Sequence, residues 1–229
     1  MDKTTDRYKY AGLFITLILP VLTGFIRVKF SGNNNTDILL KEGIIWMMFL
    51  AVLLIARYGE KEPLDFSAHI SPATTLAQSV IILVSLFVFA ICCGIIYLVL
   101  LKGHPPNEPM MERLWRLPPW IKMILAVRAG VVEETFFRAY AMGRIKQLTN
   151  NNALAFIIPL LFFAGGHIAY GSVYHVVVTF FIGALLAVCY MKTKNLALVG
   201  KIKALMNLEK RSPFFLACHL LQLGLFLTF

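Results

Sequence analysis

Charge is scarce in this sequence. Asp, Glu, Lys and Arg together make up 15% of the chain, against about 25% in an ordinary soluble domain. Hydrophobic residues make up 59%, where a soluble domain holds about 45–50%, and the mean hydropathy is +0.73. That balance excludes a soluble globular domain and points to an integral membrane protein. Cysteine is scarce as well. Cys92, Cys93, Cys189 and Cys218 all sit in apolar runs, with neither the paired spacing of a metal site nor an extracellular disulfide framework, so they read as small packing residues. The chain has no internal repeat, no low-complexity tract and no H-E-x-x-H metal motif. The first apolar run lacks a small-residue cleavage pattern and ends at Arg27-Val28-Lys29. It is expected to be a retained span, not a signal peptide.

The charge that is present is one-sided, with a formal net of +10. Nucleic acid is nonetheless excluded as a partner. The basic residues mostly flank apolar runs, where loops and anionic headgroups account for them.

A helix needs about 20 apolar residues to cross a hydrocarbon core ~30 Å thick. On that measure the chain reads as all-α: a polytopic transmembrane bundle of about seven spans with short interfacial helices, forming one membrane-embedded domain over residues 1–229. The expected spans are Tyr10 to Ile26, with a kink at Pro20; Gly43 to Ala56, extended towards Asp37; Leu76 to Leu101; Trp120 to Ile145; Asn152 to Tyr170; Val173 to Met191; and Ser212 to Phe229. The polar stretch Arg57 to Pro72 is a place for an interfacial helix, and basic Lys192 to Arg211 reads as a loop. With the N-terminus inside, the inner segments hold thirteen lysines and arginines, among them Lys9, Arg144 and Lys203, and the outer segments hold seven. The positive-inside rule therefore expects a cytoplasmic N-terminus.

The fourth span carries Val131-Val132-Glu133-Glu134-Thr135-Phe136-Phe137-Arg138. Ionisable groups at membrane depth cost about 2.5–3.5 kcal/mol each on insertion scales, so three within six residues point to a function. On a helix Glu134 and Arg138 are i and i+4 and share a face. Glu133 is turned by about 100° from Glu134, and is expected to point elsewhere, as a general base for water. The bland alternative is a structural ion pair beside a stray glutamate.

Of the five histidines, His69 and His104 fall in expected loops and His175 at the membrane boundary. His167, after Phe163-Ala164-Gly165-Gly166, and His219, within Ala217-Cys218-His219-Leu220, lie in apolar spans. A lone histidine in such a helix is usually a packed residue. Two of them with a diacid in one small bundle must all face its interior to avoid lipid, and Gly165 and Gly166 are expected to bring helices close beside His167.

Glu133-Glu134-x-x-x-Arg138, then Phe163-x-x-x-His167, then a histidine in the last span, resembles the CPBP family of intramembrane proteases. That family includes the type II CAAX prenyl endopeptidases and bacterial Abi-type proteins. The likeness runs from about Leu125 to Leu223, including Gly183 and Tyr190-Met191-Lys192-Thr193, and places the catalytic region at about 120–229. It implies that Glu133 and His167 activate a water that attacks a peptide carbonyl. It further implies that His219 helps to stabilise the oxyanion, and that Glu134 and Arg138 orient the site. Two departures stand out. The family usually carries Asn or Asp four residues after its last histidine, and that position here is Leu223, with Gln222 beside it. The stretch Ala197 to Ser212 is also longer than the link expected before that histidine.

The function expected from these residues is an intramembrane endopeptidase acting on membrane-associated peptides or proteins, with the bilayer as its other partner and no cofactor. A zinc-dependent protease with His167, His219 and a glutamate as ligands is an alternative. A non-catalytic immunity or partner-binding protein is another, and a transporter a third. The short chain without targeting signals suggests a bacterial cytoplasmic membrane. The sequence sets neither the substrate nor the oligomeric state.

Overall fold

The computed structural model describes residues 3–25, 34–64, 116–170 and 173–194, together with Leu196, Val199, Gly200 and Lys203. Among these, every regular element is a helix, as an apolar solvent demands, because a helix satisfies its own backbone hydrogen bonds.

Helix α1 (residues 3–25) is α-helical over Lys3–Leu13 and Leu19–Phe25, with a π-turn at Phe14–Ile18 between them. Pro20 explains the widened turn. It has no N–H, and its ring crowds the carbonyl four residues back, so the ladder loosens just before it and Leu19 bonds to the Phe14 carbonyl. Helix α2 (residues 34–59) joins Asn34–Leu54 to a π-turn, Ile55–Gly59. It includes Asp37, as the short apolar core of that span suggested.

Helix α3 (residues 119–149) is built from Pro119–Arg128, π-turns Ala129–Glu133 and Thr135–Met142, and Gly143–Thr149. Its start has Pro in the first turn, where no N–H is missed. Its end is fixed by two asparagines. Asn150 takes a left-handed backbone (φ 51°) and donates its N–H to the Lys146 carbonyl. Asn151 then caps α4 (Asn152–Gly165), accepting from the N–H groups of Ala153 and Leu154 at 2.8 and 3.2 Å. A 3-10 turn, Ile168–Tyr170, leads into α5 (Val173–Thr193).

Side-chain pairs set the directions. Lys9 meets Glu62 at 3.1 Å, so α1 and α2 are antiparallel. Glu42 near the start of α2 meets Arg128 at 3.0 Å, and Glu60 just past its end meets Arg144 at 2.6 Å, so α2 and α3 run parallel. The core between α1, α2, α3 and α4 is formed by Leu17, Val52, Ala56, Val132, Phe136, Tyr140 and Phe163. Met47, Leu50, Leu54, Phe14 and Leu161 remain exposed, a surface suited to lipid.

The protein is an integral membrane protein, and the described residues reach only part of the seven expected spans. Among the described residues three helices are long and apolar enough to cross a membrane: Thr5–Phe25, Asn35–Gly59 and His175–Thr193. Helix α3 is long, but its charges keep it from that set. The expected fifth span, Asn152 to Tyr170, breaks after Gly165, where the helix gives way to a turn at His167. The expected spans Leu76 to Leu101 and Ser212 to Phe229 lie outside the described residues.

The basic stretch Lys192 to Arg211 is also corrected. Leu196, Val199, Gly200 and Lys203 are helical and buried. Lys9, Arg144 and Lys203, counted above as loop cations, are buried and ion-paired.

Candidate active site

Helix α3 delivers the two glutamates, and its π-turn decides where they point. Glu134 is fully buried and accepts from Arg138 Nη1 at 2.9 Å, the i,i+4 pair that the sequence expects. Arg138 is anchored a second time, donating from Nη2 to the Gly183 carbonyl of α5 at 3.1 Å. Gly183 permits that approach: a Cβ there would lie 2.7 Å from the Phe163 ring.

Glu133 departs from expectation. The sequence turns it away from Glu134 as a general base; in the structure both of its oxygens meet cations. Oε1 pairs with Arg128 Nη1, and Oε2 accepts from Lys203 Nζ at 2.7 Å. The same ammonium is 2.9 Å from Glu134 Oε1. The adjacent carboxylates, turned apart on their helix, therefore converge on one lysine. Arg128 continues the chain of charge to Glu42 of α2 at 3.0 Å. Glu134 Oε2 is buried and has no hydrogen-bond partner among the described residues.

Phe163 is the floor of this cluster. Arg138 lies over its ring at 4.6 Å from the centroid, and Lys203 Nζ at 4.3 Å, cation–π distances that reward desolvated charge. Its carbonyl meets His167 Nδ1 at 2.8 Å. A carbonyl only accepts, so Nδ1 carries the hydrogen, and in the neutral ring Nε2 keeps its lone pair. Phe163 and His167, four apart, thus hold the cations on one side and the imidazole on the other.

Of the expected site residues, Glu133, Glu134, Arg138 and His167 gather here. His219, Gln222 and Leu223 lie outside the described residues. His175, set aside in the sequence as a boundary residue, packs its ring against His167 with centroids 5.7 Å apart. Sequence reasoning missed Arg128, Glu42 and Lys203. For Lys203 the available signal was its spacing of three from Gly200 inside a supposed loop. Of the glycines beside His167, Gly166 is the one at a close helix approach: a Cβ added to Gly24 of α1 would lie 3.3 Å from the Gly166 carbonyl, whereas a Cβ at Gly165 meets no described atom within 4 Å.

Among the described residues no three His, Cys, Asp or Glu side chains gather as metal ligands. A zinc site with His167 and a glutamate would need His219.

Residues 115–208 match the sequence model of the type II CAAX prenyl endopeptidase Rce1-like family. The match takes in every residue of the cluster from Arg128 to Lys203 and ends before His219. No curated protein and no solved structure matches the chain. Residues 115–208, which hold both glutamates, Arg138, His167 and Lys203, are thus similar to the Rce1-like family of type II CAAX prenyl endopeptidases, a likeness that supports a place among the CPBP proteins.

Proposed function

We propose that the protein is an intramembrane endopeptidase that hydrolyses peptide bonds of membrane-associated peptides or proteins with a water activated by Glu133 and His167. The observation that carries this reading is the gathering of Glu133 and His167 around one buried hub: Lys203 Nζ is 2.7 Å from Glu133 Oε2 and 4.3 Å from the centroid of Phe163, whose carbonyl holds His167 Nδ1 at 2.8 Å and leaves Nε2 with its lone pair. A water between them has two acceptors for its hydrogens, which is what general-base attack requires.

The chemistry then balances simply. The water oxygen adds to the scissile carbonyl carbon as Glu133 takes its proton, and the carbonyl π pair moves onto oxygen. Collapse of that intermediate breaks the C–N bond, and the protonated carboxyl returns the proton to the leaving amine. Glu134 and Arg138 hold the helix turn that aims Glu133. We place the N-terminus on the cytoplasmic side of the membrane: without the buried Lys9, Arg144 and Lys203, ten of the thirteen inner lysines and arginines remain against seven outer ones.

The test uses the full chain in liposomes with transmembrane and prenylated peptides, and cleavage read by mass spectrometry. Glu133→Ala and His167→Ala are expected to abolish cleavage while the protein still accumulates. Wild-type rates in both variants defeat the proposal.

A second reading, a non-catalytic immunity or partner-binding protein, draws support from the pairing of both Glu133 oxygens with cations and from Leu223 in place of an amide. It expects Glu133→Gln to keep the cellular phenotype.

A further inference from the structure

Lys203 belongs to no part of the motif that identified the site, yet it stands at its centre. Its side chain is 8% exposed, with the ammonium 2.7 Å from Glu133 and 2.9 Å from Glu134. The backbone explains the placement. A Cβ on Gly200 would lie 2.3 Å from the Gly130 carbonyl oxygen, so the two backbones touch there. Three residues beyond each glycine stand Lys203 and Glu133. One backbone contact therefore brings the ammonium to the carboxylate.

We propose that Lys203 is the electrophile of this site: a fixed positive charge that stabilises the oxyanion formed when water adds to the scissile carbonyl. The inference rests on the protease reading above and names a residue that this reading does not use. It has three supports. The first is position, since a cation beside the base is also beside the carbonyl that the base's water attacks. The second is hydrogen-bonding capacity. An ammonium offers three donors in a compact head, and a preorganised cation in a water-poor site opposes developing negative charge without reorganising.

The third is spacing. The resemblance expects an amide or carboxylate four residues after the last histidine. Four residues after His219 stands Leu223, but four residues after Lys203 stands Asn207, and the family match covers residues 115–208. The sequence thus keeps the expected interval from Lys203 and loses it from His219. Lys203 transfers no proton in this scheme and stays charged; it opposes the negative charge that builds on oxygen as the carbonyl π pair moves there, and that interaction ends when the carbonyl re-forms and the C–N bond breaks.

The experiment again uses the full chain in liposomes with the same peptides. Lys203→Met is expected to lower kcat by about a hundredfold or more, the scale of a lost oxyanion donor, with KM little changed. Lys203→Arg restores part of the rate. Lys203→His is active when its ring is charged, so its rate falls as pH rises through the imidazole range, near 6.5 for an unperturbed ring. His219→Ala loses less than Lys203→Met. A Lys203→Met rate within about threefold of wild type, far short of a lost donor, overturns the proposal, as does the reverse ranking of Lys203 and His219.

A second measurement is independent of any substrate. Lys203→Met should lower the thermal midpoint, and Glu133→Gln with Glu134→Gln should restore it, because the substitutions remove the repulsion left behind. Absence of that coupling places the ammonium elsewhere and overturns the proposal whatever the peptides show. The two failures are distinguishable. Glu133→Ala and His167→Ala cleaving at wild-type rates sinks the protease reading; their inactivity beside an active Lys203→Met sinks only the role of Lys203.

Discussion

Arg128 reaches Glu133 along a single helix although the two are five residues apart. On an α-helix such residues point about 140° away from each other. The π-turn Ala129–Glu133 changes that, because its i→i+5 ladder stacks residues at this interval. The widened turn thus converts a mismatched spacing into a pair, and Arg128 passes the link on to Glu42 of α2. Bulges of this kind are frequent at functional sites, and here the bulge aims a carboxylate.

Arg128→Met should therefore be costly. It leaves Glu42 and Glu133 without their shared cation in a site where Glu42 is 8% exposed, and breaking a buried pair from one side costs about 3–5 kcal/mol. Adding Glu42→Gln should recover part of that loss in the thermal unfolding of the detergent-solubilised chain. A double variant no more stable than Arg128→Met would show that Arg128 does not hold Glu42.

A second polar cluster locks the opposite end of the same helices. Tyr140 donates to Glu60, and Arg144 Nε donates to the other Glu60 oxygen at 2.6 Å. Helix α1 closes over it at Gly12, where a Cβ would fall 1.8 Å from the Tyr140 hydroxyl. Tyr140→Phe should cost about 1.5–3 kcal/mol, the worth of a hydrogen bond to a charged group. Gly12→Ala should cost about 1–3 kcal/mol by overpacking. Combining the two should cost somewhat less than their sum, since Phe lacks the nearest clashing atom while its ring carbons, at 2.3 and 2.8 Å, still crowd the methyl. Strict additivity in the unfolding free energies would place Gly12 away from Tyr140.

At the edge of that lock, Glu62 gives an acid sensitivity. Burial by itself pushes its carboxyl up, but the bonds donated by Gln147 and Lys9 and the charges of Lys9 and Arg144 together hold it below the usual value. A depressed carboxylate stabilises the fold above the ordinary glutamate pKa, about 4.3, and loses that contribution as pH falls through the folded value. Thermal midpoints followed from neutral pH into this range should fall less steeply in Glu62→Gln than in wild type. Equal slopes would assign the acid sensitivity to other groups.

What the sequence revealed, and what it hid, divides along the range of the physics. Glu134 and Arg138 were legible because an i,i+4 pair is a local relation. The break between α3 and α4 was legible as a gap between two apolar runs, but the left-handed Asn150 and the capping Asn151 that make it were seen only in the structure. Arg128 was hidden because its partnership depends on a π-turn, and the expectation rested on α-helical geometry. Lys203 was hidden more deeply. Its surroundings, basic and mixed, read as a loop, and only the tertiary contact between Gly200 and Gly130 brings it inside. The count of loop cations failed at Lys9, Arg144 and Lys203 for the same reason: a buried partner is not visible in a list of residues.

The glycines give the last prediction, because they separate charge from placement. Gly200→Ala leaves Lys203 intact but puts a methyl 2.3 Å from the Gly130 carbonyl, and a backbone atom inside a packed helix cannot swing aside. The segment must move off α3, carrying the ammonium away from Glu133. Peptide cleavage should then fall towards the level of Lys203→Met, although no charge has been lost. Gly183→Ala should be milder, since its methyl meets the Phe163 ring, which can tilt at a cost of about 1–3 kcal/mol. Gly143→Ala is the control. No described atom lies within 4 Å of its added Cβ, and helical Gly→Ala stabilises by about 0.5–1 kcal/mol. The expected order of cleavage rates is Gly143→Ala, then Gly183→Ala, then Gly200→Ala. A fully active Gly200→Ala chain would mean that the Gly130 contact does not position Lys203.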